Sequence, residues 1–289
     1  VMADLSGQTM SRLCPVKLEI ATYLRDHSFD GRAVFPAVEA LITLAKSVKS
    51  HYPQAVLHDQ RSALFPRPLF VETADRSLDA QIEIDESADG IHASLQTSVK
   101  IHNTAISRTL DHARVTFAGA AVLPGATMSF RTARKMENRC IQIPATSIYR
   151  ELVPFGESYQ NITGDLSVSE EGALADIQGG SAAADDAILG SPFVLDAAMH
   201  AACVWGQRFA DMVPFPVGFD RRIIYKTTQK GGAYCARVNP VKVEREVLTF
   251  DVWIFDPDGR IHETVSGLRM RDITGGRMRP PAWIKDGIC

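Results

Sequence analysis

The stretch Leu24-Arg25-Asp26-His27-Ser28-Phe29-Asp30-Gly31-Arg32-Ala33-Val34-Phe35-Pro36 decides how this chain reads. A histidine is followed four residues on by glycine and, five further, by proline. Beyond it, Ala37-Val38-Glu39-Ala40-Leu41-Ile42-Thr43-Leu44-Ala45 is apolar on nearly every side. A helix of that kind has to be wrapped by other structure. Proline suits a first helical position, where its missing N–H would have no partner anyway. The expectation is a strand running Lys17–Leu24, a tight turn at Asp30-Gly31, and a buried helix that Pro36 opens and that runs to about Ser50. His27 then stands at the mouth of a pocket floored by that helix.

Past Tyr52-Pro53 the pattern changes to short alternating segments, the period of strands. Leu69–Thr73, Leu78–Ile84, Ile91–Ile101 and Thr109–Phe117 read as strands, broken by Asp75, Asp85–Gly90 and Asn103, with the middle pair a hairpin. One long helix followed by an antiparallel meander is an α+β pattern. Gly119 to Pro124-Gly125 and the polar stretch Arg131–Arg139 read as a linker. The pattern then returns. Ile148–Leu152 and Gly164–Val168 read as strand or short-helix pieces around a turn at Gly156. A second apolar helix runs from Pro192 to about Phe209, with Ser191 as its N-cap and Pro192 at its first position. Strands follow at Arg222–Lys226, Ala233–Pro240, Leu248–Phe255 and Arg260–Arg271, and Pro257-Asp258-Gly259 has strong turn chemistry. Each half thus offers one buried helix and several antiparallel strands. A sheet wrapped around one helix is the hotdog arrangement, so the expected fold is an α+β double hotdog, two antiparallel sheets each around a central helix. The halves are set at 1–125 and 143–275, with a linker at 126–142 and a tail at 276–289.

Composition narrows the function. The chain has 289 residues, 45% hydrophobic and 22% charged, enough for a sizeable core. Lys and Arg total 31 against 34 Asp and Glu, a net charge of −3 that gives no reason to expect nucleic acid or an anionic membrane. No apolar run has the length of a membrane span, and the first residues lack the pattern of a signal peptide. The five cysteines are odd in number and far apart, which argues against a disulfide framework and against a zinc site with paired ligands. The expected setting is cytoplasmic. There is no Gly-rich dinucleotide loop and no metal-ligand cluster.

The second helix carries Asp196 in an otherwise apolar run, with His200 four residues on and therefore on the same face. A carboxylate on a buried helix is costly without a partner or a task. Taken alone, the pair reads as a structural ion pair and His27 as a satisfied histidine at a strand end. The combination reads differently. His27-x-x-x-Gly31-x-x-x-x-Pro36 before an apolar helix resembles the first signature of polyketide and fatty acid synthase dehydratase domains. Leu195-Asp196-Ala197-Ala198-Met199-His200 resembles their second, an Asp followed four residues later by Gln or His. Tyr149-Arg150-Glu151-Leu152 through Gly156-Glu157-Ser158-Tyr159 looks like the family's Gly-x-x-Tyr segment, Val213-Pro214-Phe215-Pro216 like its Leu-Pro-Phe-Ser stretch, and Gly267–Arg271 like its closing strand. The resemblance spans roughly residues 15–272. Departures are Ser191-Pro192 where the family has His-Pro, and Tyr159-Gln160-Asn161-Ile162 in place of Tyr-Gly-Pro-x-Phe.

The resemblance implies loss of water from a (3R)-3-hydroxyacyl thioester, giving a trans-2-enoyl thioester. It makes His27 the base and Asp196 the acid, with the Asp196 pKa raised by its apolar helix. It places Gly31, Pro36, Tyr159 and His200 as substrate-binding positions, with helix-start amides receiving the thioester carbonyl. It implies no metal and no cofactor beyond the phosphopantetheine of an acyl carrier protein. Its partners are that carrier, neighbouring synthase domains and a second copy in a homodimer. Two other readings use the same architecture: a product-template-like cyclase of a poly-β-keto chain, and a non-catalytic acyl-binding double hotdog.

Overall fold

The computed structural model describes residues 11–29, 31–100, 107–119, 128–182 and 188–286. Asp30 of the expected turn, Asn103 and the Pro124-Gly125 boundary lie outside the described residues.

The first half runs β1 (Arg12–Glu19), a 3-10 turn (Thr22–Asp26), β2 (Ser28–Phe29), β3 (Arg32–Val34), α1 (Ala37–His51), β4 (Asp59–Leu64), β5 (Phe70–Val71), β6 (Ser77–Ser87), β7 (Gly90–Lys100) and β8 (Ser107–Ala118). The second half runs α2 (Phe130–Ala133), β9 (Ile141–Pro144), α3 (Ala145–Ser147), a π turn (Ile148–Leu152), a 3-10 turn (Glu157–Tyr159), β10 (Ile162–Ser169) and β11 (Gly172–Gln178). It continues through α4 (Pro192–Phe209), β12 (Phe215–Ile224), β13 (Ala233–Val243), β14 (Leu248–Phe255), β15 (Ile261–Arg271) and α5 (Ala282–Asp286).

Twelve strands form one antiparallel sheet in the order β1-β6-β7-β8-β4-β12-β15-β14-β13-β11-β10-β9. The two sheets expected from the sequence are thus its two arms, joined where β4 pairs with β12 from Gly218↔Leu64 to Ile223↔Asp59. Each arm curls around one helix. α1 packs on β6, β7 and β8, and α4 on β10, β11, β13 and β14, while the two helices touch each other. β2, β3 and β5 make a separate three-stranded sheet.

The helices explain the wrapping. Val38, Leu41, Leu44, Ala45 and Val48 of α1 are buried, and in α4 every residue from Pro192 to Gln207 is buried. Such surfaces are stable only when a sheet removes them from water on most sides. α4 starts as expected: the Ser191 hydroxyl accepts the Phe193 N–H at 3.3 Å and Pro192 takes the first position. α1 differs. Pro36 is its N-cap, with extended ψ of 144°, and Ala37 is the first helical residue. The strand expected over Lys17–Leu24 also ends early, at Glu19. The chain instead tightens into a 3-10 turn, with Leu24 N–H donating to Ala21 O and His27 N–H to Leu24 O. The alternating pattern carried across that turn because Ile20 and Leu24 are both buried, although they lie in different elements. The sequence does not point to β4, which is polar, or β9, which is only four residues long, and it also gives no expectation for β11. The Ile148–Leu152 segment is a π turn.

Candidate active site

His27 sits where three local constraints meet. It closes the 3-10 turn, and its own carbonyl accepts the Val34 N–H at 2.9 Å across the β2–β3 hairpin. Its ring Nδ1 lies 2.9 Å from Val34 O. A carbonyl only accepts, so Nδ1 carries the hydrogen, and in the neutral ring Nε2 is left with the lone pair. That Nε2 lies 3.7 Å from Asp196 Oδ1, with the two side chains 14% and 8% exposed.

The preceding residue brings the halves together. The Asp26 carbonyl accepts the Gly156 N–H at 2.8 Å, and its carboxylate Oδ2 accepts the Ser158 N–H at 3.0 Å. A Cβ at Gly156 would stand 2.5 Å from the Asp26 carboxyl, so only glycine permits this approach. The loop that follows packs two aromatic rings on His27: Phe155 at 4.4 Å and Tyr159 at 5.0 Å between ring centroids.

Asp196 projects from the middle of α4 with His200 one turn on. Asp196 Oδ2 and His200 Nε2 are 2.8 Å apart, close enough for an ion pair but not aligned as a hydrogen bond. The Tyr149 hydroxyl lies 3.4 Å from His200 Nδ1 and accepts the Ile162 N–H at 2.8 Å. Phe155 covers His200 at 4.9 Å. Tyr149, Phe155 and Asp26 are site residues to which the sequence assigned no role, although Tyr149 opens the segment that resembles the family's and Asp26 immediately precedes the histidine.

Burial pushes the His27 ring below its ordinary pKa, against the raising pull of the Asp196 charge. For Asp196, burial acts upward, but His200 beside it and then His27 outweigh this and hold the carboxyl below its usual range. This reverses the expected direction: the helix around Asp196 is apolar, but the two groups facing its carboxyl are imidazoles.

A cavity of about 600 Å³ runs between the two halves. His27, Asp196 and His200 all line it, together with Ala37, Phe155 and Met199. The sequence-predicted positions separate here. His27, Asp196 and His200 come together on one wall. Gly31, Pro36 and Tyr159 do not line the cavity. Gly31 is exposed with φ of +72° and nothing close to its missing side chain, so it serves the β2–β3 turn. Pro36 is buried at the start of α1. Tyr159 lies behind His27, its hydroxyl fully buried and without a hydrogen-bond partner. Among the described residues no cluster of His, Cys, Asp and Glu could hold a metal ion, and no helix is long and apolar enough to cross a membrane.

Residues 142–280, the half that contains Asp196, match the profile described as the polyketide synthase dehydratase N-terminal domain. No curated protein matches the sequence. Solved structures resemble it over nearly the whole length. An N-terminal dehydratase from the difficidin assembly line shares 14% identity over 92% of this chain and 95% of that one, with a TM-score of 0.70. A trans-AT polyketide synthase dehydratase domain from Brevibacillus brevis shares 18% over 91% and 94%, at 0.68. The dehydratase domain of a mycocerosic acid synthase-like polyketide synthase shares 15% over 94% of each, at 0.71. At such identities the likeness carries the fold, which is the double hotdog.

Proposed function

We propose, from the match of residues 142–280 to the polyketide synthase dehydratase profile, that this chain is a dehydratase of that kind and removes water from a (3R)-3-hydroxyacyl thioester to give a trans-2-enoyl thioester. The observation that carries the reading is the meeting of His27 and Asp196, from opposite halves of the chain, 3.7 Å apart on one cavity wall.

The chemistry needs a base at C2 and an acid at the C3 hydroxyl. His27 Nε2, neutral and with its lone pair toward the cavity, takes the C2 proton. The electron pair of that bond becomes the C2–C3 double bond. The C3–O bond breaks with its electrons leaving on oxygen, and a proton from Asp196 makes the leaving group water. As enolate charge develops on the thioester oxygen, the first turn of α1 offers unbonded amides to receive it. Ala37 is in the cavity wall, and the first intrahelical bond begins only at Ala40 N–H. His200 holds Asp196 in place. In the free site His200 also favours the ionised carboxyl, against burial, so the acid takes up a proton during the cycle.

The substrate in this reading rides on the phosphopantetheine of an acyl carrier protein, within a synthase whose other domains are neighbours in the cytoplasm. No other cofactor takes part. The test is incubation with 3-hydroxyacyl groups on a carrier protein, followed by mass spectrometry of the acyl arm. The wild type is expected to form enoyl product, and His27→Ala and Asp196→Asn each to lose about 10²–10⁴-fold in rate. No enoyl product from the wild type overturns the reading. A cyclised product from a poly-β-keto chain would instead assign the same pair to ring closure.

A further inference from the structure

The proposed reaction engages only the part of the cavity where His27 and Asp196 meet. A volume of about 600 Å³ is far more than the reacting carbons fill, so the wall beyond them selects what the rest of an acyl chain can be. Toward the first half that wall is apolar, with Val34, Phe35, Ala40, Phe65 and Leu95 all buried. Among the described residues of the first half that line the cavity, one buried side chain is polar: His112 on β8, 8% exposed. A polar group in such a wall costs free energy unless its hydrogen bonds are made.

The ring is held firmly on one side and loosely on the other. Nε2 lies 2.8 Å from the Thr97 hydroxyl of β7, and Nδ1 lies 3.4 Å from the Arg67 carbonyl. That carbonyl only accepts, so Nδ1 carries the hydrogen and Nε2 accepts from Thr97. Burial disfavours the charged ring, in keeping with this neutral form. An N–H···O bond usually spans about 2.7–3.2 Å, so the contact to Arg67 is long and its donor is under-used. Arg67 also lines the cavity, so this loosely held hydrogen runs between two residues of the wall.

We propose that His112 reads the acyl chain: its Nδ1–H donates to a carbonyl or hydroxyl oxygen carried beyond C3, and the substrates are 3-hydroxyacyl thioesters oxygenated further along rather than plain alkyl ones. The proposal rests on the dehydratase reading for the identity of the chain. Against an otherwise apolar wall an oxygen of the chain is stripped of water with nothing to bond. His112 supplies the donor, and so admits a chain that the wall alone would reject. Thr97 is a positioning residue here, because its hydroxyl fixes which ring nitrogen carries the hydrogen.

The experiment measures binding as well as turnover. Saturated acyl-pantetheines, which have no 3-hydroxyl to lose, are compared with the same chains carrying a carbonyl at each carbon in turn from C5 outward. By calorimetry, at least one oxygenated chain is expected to bind about tenfold tighter than its alkyl counterpart. In His112→Leu that difference should disappear, with the alkyl chain bound within about twofold of wild type. His112→Asn, which keeps an N–H donor near the place of Nδ1, should retain part of it. The matching 3-hydroxyacyl chains should show the same preference in kcat/KM, about tenfold. No preference at any position in the wild type, a comparison that needs no variant to fold, overturns the proposal. So does a preference that survives in His112→Leu, or an equal loss for both chains there, which marks a residue that only holds the wall. A His112-dependent difference in binding without enoyl product leaves this role standing and removes the dehydratase reading. Enoyl product without such a difference removes the role alone.

Discussion

Val34 does as much for His27 as any neighbouring side chain. By accepting from Nδ1 at 2.9 Å, its carbonyl selects the tautomer whose Nε2 faces Asp196. Burial then keeps that ring neutral, because a charged imidazole is disfavoured away from water. In the proposed reaction His27 is the base, and a base whose pKa is lowered stays unprotonated to lower pH, so the acid limb of kcat/KM is expected below 6.5, the ordinary value for histidine. A pH–rate profile of the wild type checks this, and an acid limb above that value would contradict it. Asp196 shows the limit of reasoning from helix composition. The apolar helix acts to raise its carboxyl, but His200, 2.8 Å away, outweighs burial and holds it below its usual range.

At the scale of elements, the site depends on a contact between two turns. The Asp26 carbonyl and carboxylate bind the amides of Gly156 and Ser158, and this seats Phe155 against both His27 and His200. Gly156→Ala places a methyl group 2.5 Å from a carboxyl that is itself hydrogen-bonded, so the turn has to shift. The expected result is a kcat reduced about tenfold, since an offset of about 1 Å at reacting groups is costly, with the circular dichroism spectrum unchanged. Full activity in this variant would show that the Asp26 contact does not position His27. The helices themselves are ordinary in energetic terms. α4 is buried on nearly all sides, whereas α1, expected to be so from its apolar start, buries one face and leaves Lys46, Lys49, Ser50 and His51 exposed; together they bring Asp196 and the start of α1 to one cavity.

For the whole molecule, the decisive junction is β4 against β12. One ion network straddles it: Asp59 on β4 receives both Arg61 and Arg221 of β12. Beside it, Arg222 of β12 makes a two-pronged pair with Glu263 of β15 at 2.7 and 2.9 Å. Arg222 and Glu263 are almost wholly buried, at 3% and 2% exposure. Removing one member leaves the other charge unpaired in the interior, so Glu263→Ala is expected to cost about 3–5 kcal/mol. The double replacement Arg222→Met with Glu263→Leu should recover most of that loss. Denaturant unfolding of the three variants decides it, and equal stability of single and double mutants would show that the pair is not buried in solution. Asp59 adds a pH term. Burial acts upward, but its two arginines hold the carboxyl below its usual range. The stability it contributes is therefore present above the ordinary aspartate value and lost as pH falls through the depressed one.

Much of this was legible in the residues. The apolar runs after Pro36 and Pro192 specified two wrapped helices, because no helix with that surface is stable in water. The alternating segments specified antiparallel strands, and turn residues such as Pro257-Asp258-Gly259 located hairpins. The spacing around His27, Gly31 and Pro36, with Asp196 and His200 one helical turn apart, singled out the dyad through its resemblance to a family. Other features came only with tertiary structure, since each depends on groups distant in sequence. The joining of two sheets into one rests on the β4–β12 register. The His27 tautomer rests on a carbonyl across a hairpin. The withdrawal of Gly31, Pro36 and Tyr159 from the cavity wall rests on where the turns fold. The charge of Asp196 rests on which groups finally face it, because electrostatic effects depend on distance and burial, and a linear sequence states neither.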